Sequence, residues 1–166
     1  MAIPESLIIF TGFVLAHAAW SISDVPKNEL LVPMVMVERS GKREINRFEA
    51  DTQAKAIEGG KKWIADNEDK VDSWVFAREG QLNEGGKSID VLIVEGKSKG
   101  MKASIVVIQR FQPFYMGQFK LIGDAIINID SKDPDAATTK LLRDQLLAGI
   151  KSHSKAFPFW TEWTKP

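Results

Sequence analysis

The 166 residues balance 22 Lys and Arg against 22 Asp and Glu, with 44% hydrophobic and 27% charged side chains. This is the composition of one ordinary globular domain, residues 1–166, and it excludes both a disordered chain and the basic footprint of a nucleic-acid binder. Cysteine is absent, which removes disulfides, thiol nucleophiles, iron–sulfur clusters and every thiolate zinc site.

The first element is the uncharged run Leu7–Trp20, LIIFTGFVLAHAAW. A secretory signal needs a basic start, yet the first cation is Lys27; Ala16-His17-Ala18 nevertheless imitates a cleavage site. A membrane span needs about 20 apolar residues, and this run is shorter and more polar at its end. The flanks favour a buried or interfacial helix opened by Pro4 and ended near Ser21–Asp24. The expectation is therefore no membrane span and a cytoplasmic protein, with an exported form lacking residues 1–18 as the alternative.

Leu30–Val37 and Arg43–Phe48 read as paired strands around Ser40-Gly41. Pro33 cannot donate to a ladder, so the first of them is expected at an edge or with a bulge. Asp51 or Thr52 caps a helix running to about Asp66, with Ala56, Ile57, Gly60, Trp63 and Ile64 on one side. Gly59-Gly60 within it costs on the order of 1 kcal/mol per glycine, implying a kink or a close backbone contact.

Four strands follow at Asp72–Arg78, Ser88–Glu95, Met101–Phe111 and Gln118–Ile129, with glycine turns between them. Such short connections join antiparallel neighbours. Val91–Val94 and Ser104–Ile108 are apolar at successive positions, which predicts cover on both faces. The last helix opens at Asp133-Pro134-Asp135 and runs to about His153, with Leu142, Leu146, Ile150 and His153 on a stripe that can lie on the sheet. Phe157–Trp163 holds two Phe and two Trp, too apolar for a loose terminus. The order is α-β-β-α-β-β-β-β-α, an α+β domain: an antiparallel sheet of about six strands with N-terminal, middle and C-terminal helices.

Motifs are sparse. Gly85-Gly86-Lys87-Ser88 resembles the end of a phosphate loop, but Gln81 stands where the first glycine belongs and a strand follows instead of a helix. A hairpin turn accounts for it. No serine lies in a nucleophile elbow, so no catalytic residue is nominated. His17 and His153 lack metal spacing, and neither a metal site nor a cofactor is expected. Should the first and last helices pack together, these two histidines meet.

Arg110 and Asp124 interrupt apolar strands, and a charge on a covered face must be paired or must meet a ligand. Arg110, with Gln112 and Tyr115, therefore forms a candidate rim for a small anionic ligand, His153 and His17 being further candidates. A structural ion pair, or a bulge turning the side chain outward, is the competing account. Two functions remain open. One is a noncatalytic binding protein that self-associates as a homo-oligomer through the apolar first helix or the aromatic tail. The other is an enzyme or ligand carrier with a pocket between the sheet and the C-terminal helix.

Overall fold

A computed structural model describes residues 3–166. Its described elements are α1 (Glu5–Ile22), β1 (Met34–Arg39), β2 (Lys42–Arg47), α2 (Gln53–Asn67), β3 (Ser73–Glu84), β4 (Lys87–Ser98), β5 (Ile105–Gln112), β6 (Lys120–Ile129), α3 (Ala136–Lys151) and α4 (Phe157–Trp163). The six strands form one antiparallel sheet in the order β2-β1-β3-β4-β5-β6. The α+β class and the element order are those expected, with α4 added at the end.

The absence of a polar face on α1 follows from its position. It lies across β3 and β4 and carries α3 on its other side, so a helix apolar all round is what the site requires. Leu7, Ile8, Phe10, Val14 and Leu15 are fully buried. The helix has 18 residues and a mean hydropathy of 1.4, long and apolar enough to cross a membrane, and 61% of it is buried inside the fold. Gly96 makes room for it on β4, since a Cβ there would stand 2.9 Å from Thr11 Oγ1.

Several local expectations are corrected. The first strand begins at Met34, and it is an interior strand between β2 and β3. Pro33 lies just outside it, where only its carbonyl is used, accepting from Phe48 N at 2.9 Å. The cap of α3 is Asp135, whose side chain accepts from Thr138 N at 2.7 Å, so Pro134 precedes the helix. Leu142, Leu146 and Ile150 are buried as the stripe implies, but α3 packs mainly on α1, with β6 its main contact on the sheet. The two central glycines of α2 differ. A Cβ on Gly60 would come within 2.7 Å of the Phe76 ring, whereas one on Gly59 would meet Phe48 at an ordinary 3.7 Å. Gly60 is the close contact and Gly59 is not.

The β3–β4 hairpin runs twelve residues on each arm to the two-residue turn Gly85-Gly86. Their φ values of +58° and +80° suit the primed turn whose twist matches the strands. The phosphate-loop look-alike is this turn.

The cover expected on both faces of β4 and β5 is met only in part: Val91, on the second face of β4, is fully buried, and Ile93 beside it is half-buried. Along β5 burial alternates strictly: Ile105, Val107, Gln109 and Phe111 are buried beneath the α1 layer, while Val106, Ile108, Arg110 and Gln112 are half-exposed. On that second face α2 packs against β1 and β3, over Val35, Val37, Trp74 and Phe76. Over β4, β5 and β6 the same face is half-buried, with Val91 buried and Ile122 exposed.

Candidate functional site

The six residues singled out from the sequence fall in four places, and only one pair is brought together. Helices α1 and α3 cross at Gly12 and Gly149. A Cβ on Gly149 would stand 2.8 Å from the Ile9 carbonyl carbon and 2.9 Å from Phe13 N, and one on Gly12 would stand 3.2 Å from Gly149 Cα. That backbone approach carries His17 and His153 into contact, His17 Nδ1 lying 3.0 Å from His153 Nε2. Phe13, His17 and Trp20 all place their rings within 6.2 Å of the His153 ring.

The backbone settles the tautomers. His153 Nδ1 accepts from Ala156 N at 3.0 Å, so the proton of a neutral ring must sit on Nε2. That proton is donated to His17 Nδ1, which leaves the His17 proton on Nε2. His17 Nε2 is buried and has no hydrogen-bond partner among the described residues. Burial, followed by the charge effects of His153, Arg47 and Lys155, lowers the pKa of His17 to about 4. Burial is also the first cause lowering that of His153. Both basic lone pairs are occupied, so the pair offers neither a general base nor a metal ligand without breaking a bond already made.

Arg110 reaches back to the end of the β3–β4 hairpin and grips Glu84 with two parallel bonds, Nε to Oε1 at 2.5 Å and Nη2 to Oε2 at 2.6 Å. That bond holds the Glu84 carboxyl below its ordinary range. The bidentate geometry expected for a ligand is present, and a side chain of this protein occupies it. Gln112 Nε2 donates to Gln118 O at 2.7 Å, closing the β5–β6 hairpin. Tyr115 stands 47% exposed at that hairpin's tip.

Asp124 lies on a bulge. Ile108 pairs with Ile126 while Arg110 pairs with Ile122, so β6 carries extra residues here, with Gly123 at φ +68°. The Asp124 side chain is turned out, 83% exposed, 3.8 Å from Arg143 of α3. Gln109, buried beneath α1, bonds the freed carbonyls of Ile122 and Gly123 at 3.3 and 3.2 Å. A cavity of about 230 Å³ lies between β6 and α3/α4, beside Gln109, Asp124, Arg143 and Trp160. Arg110, Tyr115 and His153, the residues expected to line a pocket under the last helix, all lie elsewhere.

The open half of the sheet is the feature that residue-by-residue reading missed. Register places Ile93, Ile108 and Ile126 side by side across β4, β5 and β6. Val106 adjoins them, and Ile122 is 45% exposed. Ion pairs border this aliphatic centre: Arg78 with Glu95 at 3.4 Å, and Arg110 with Glu84. Beyond Val106 a groove of about 410 Å³ continues past Trp74, Glu95, Lys97 and Lys102. The signal was available as the successive apolar residues of β4 and β5, which mark strands buried on both faces.

No protein-family model matches the chain, and no curated protein or solved structure shows significant similarity to it.

Proposed function

We propose that this is a noncatalytic binding protein that self-associates, and that the open sheet face is its contact surface. One observation carries the reading: β4 and β5 have the residue pattern of strands covered on both sides, while the chain buries one side fully and leaves Ile93, Val106 and Ile108 on the other only half-buried. A partner layer resolves that mismatch, and an apolar centre with an ion-paired rim is the anatomy of a protein interface. The three strands β4, β5 and β6, spaced about 4.8 Å apart over six residues of about 3.3 Å, give a planar patch of about 300 Å². Two copies stacked face to face would bury about 600 Å², less than the roughly 1,000 Å² of a stable interface, so the expected dimer is weak and needs the aromatic tail to extend the contact.

The two routes to self-association expected from the sequence now differ. The apolar α1 is used up inside the monomer, whereas Phe157 and Phe159 of the tail remain exposed and can extend a contact. The cavity beside α3, at about 230 Å³, is smaller than the roughly 300 Å³ at which small-molecule sites begin, which weighs against ligand carriage at that place. Because α1 is the central core helix, we place the functional chain with this segment retained, in keeping with a cytoplasmic protein.

Sedimentation equilibrium from micromolar to submillimolar concentration tests the proposal, with Ile108→Glu as the perturbation. A dimer that the substitution converts to a folded monomer is expected. A wild-type monomer throughout, or a dimer indifferent to Ile108→Glu, would overturn it.

A further inference from the structure

The histidine pair does something that the open sheet face does not explain. Two hydrogen bonds run in series: the Ala156 amide to His153 Nδ1, and His153 Nε2 to His17 Nδ1. Every acceptor in this chain is used once. An added proton has two places to go, and each sets two donors against one another. On His17 Nδ1 it faces the His153 Nε2–H; on His153 Nδ1 it faces the Ala156 N–H. The wiring exists only while both rings are neutral.

The surroundings work in the same direction. Arg47 from β2, and Lys155 from the link between α3 and α4, both act on His17 as positive charges. Lys155 Nζ also sits over the Trp20 ring at 5.1 Å. Arg43 of β2 lies over Phe10 and Phe13, 4.7 Å from each ring. An imidazolium here would gain a positive charge among cations and aromatic rings.

The elements the pair joins are set out in order along the chain. His17 is on α1, His153 follows the C-terminus of α3, and Ala156 opens α4. We infer that the His17–His153 pair is an acid-sensitive latch, neutral when shut, whose protonation frees the α3–α4 junction from α1 and loosens the aromatic helix α4. Helix α4 is also held by the edge-on contact of Trp163 with Phe119 at 5.2 Å, by Trp160 packed on the same core and by the bond from Phe157 N to His153 O at 3.0 Å, and four of its seven residues are aromatic. Loosening it would add Trp163 to the already exposed Phe157 and Phe159.

The direction with pH follows from the lowered proton affinity. His17 titrates near 4 in place of 6.5, so its contribution is whole above pH 6.5 and is lost as pH falls toward 4. By that shift, opening that frees His17 becomes roughly 25-fold more favourable between pH 7 and pH 5. His153, lowered as well, adds in the same sense.

Amide hydrogen exchange on the full chain reads the latch directly, after correction for the intrinsic pH dependence. Protection at Ala156 and the first turn of α4 is expected to fall between pH 7 and pH 5, while α2, on the far side of the sheet, holds its protection. Equal loss in α2, or no loss at Ala156, would overturn the inference. His17→Asn supplies an amide oxygen in place of Nδ1 and does not titrate, so it should retain the bond and blunt the response. An undiminished response would also overturn it. Should that variant fail to fold, nitrogen-15 shifts of the wild-type rings decide. Both rings are expected as the Nε2–H tautomer at neutral pH, and an Nδ1–H tautomer on either would refute the wiring.

Discussion

Replacing Gly149 with alanine tests the packing on which the rest of the molecule depends. The added methyl would have its carbon 2.8 Å from the Ile9 carbonyl carbon and 2.9 Å from Phe13 N, where about 3.5 Å is the ordinary separation. Both neighbours are backbone of α1, which is held between α3 and the sheet, so neither can rotate aside. Because the Ile9 carbonyl oxygen would stand closer still, the helices must part by well over about 0.7 Å along the crossing, opening the seam lined by Leu15, Leu146 and Ile150. Overpacking of this kind costs about 1–3 kcal/mol, and the loosened seam brings the expected loss to about 3–5 kcal/mol. That is a large share of the 5–15 kcal/mol typical of a whole domain. Urea unfolding followed by far-ultraviolet circular dichroism measures it, with an unchanged slope showing that stability alone has moved. Gly59→Ala is the matched control, because its methyl would meet only Phe48 at 3.7 Å. It should stabilise by about 1 kcal/mol through helix propensity. A Gly149→Ala variant within about 1 kcal/mol of wild type would refute the close crossing, since such a loss is typical of an unexceptional substitution.

Three further outcomes follow from the same packing. Glu79 is held mostly out of water, which pushes its carboxyl pKa up, while Oε1 accepts from Leu31 N at 2.8 Å and Asp90 adds repulsion. Its charge therefore costs stability as pH rises above the ordinary carboxylate range; Glu79→Gln should raise the neutral-pH melting temperature, and the gain should vanish below about pH 4.5. A chain beginning after residue 18 loses most of α1 and should show no cooperative thermal transition; a truncated chain melting like the full one would show that the helix is dispensable. Arg110→Ala removes a pair that stays partly in solvent, so it should shift the melting temperature only slightly, and a drop of many degrees would show that the pair is structural.

Much of the architecture was legible because it is local. Thr52 as the cap of α2, the glycine hairpin turn at Gly85-Gly86 and the buried stripe Leu142, Leu146, Ile150 each depend on residues a few positions apart. The meeting of His17 and His153 was legible only as a conditional statement, since 136 positions separate them and the condition, helix packing, rests on two glycines with no signature of their own. Nothing local distinguishes Gly149, which lets two backbones touch, from Gly59, which touches little.

Charge placement was the least legible part. Arg110 and Asp124 both interrupt apolar runs, and the sequence alone required that each be paired or turned out. Which occurred was decided by register: a bulge at Gly123 turns Asp124 to solvent, and the long β3–β4 hairpin brings Glu84 to Arg110. The sequence by itself determined the elements up to α3, their order and the antiparallel class, because periodicity, caps and turn residues act over short spans, while the aromatic tail was legible as packed but not as the helix α4. Only the tertiary structure decided that α2 covers half a face and leaves Ile93, Ile108 and Ile126 half-buried, because cover depends on where a distant helix comes to rest.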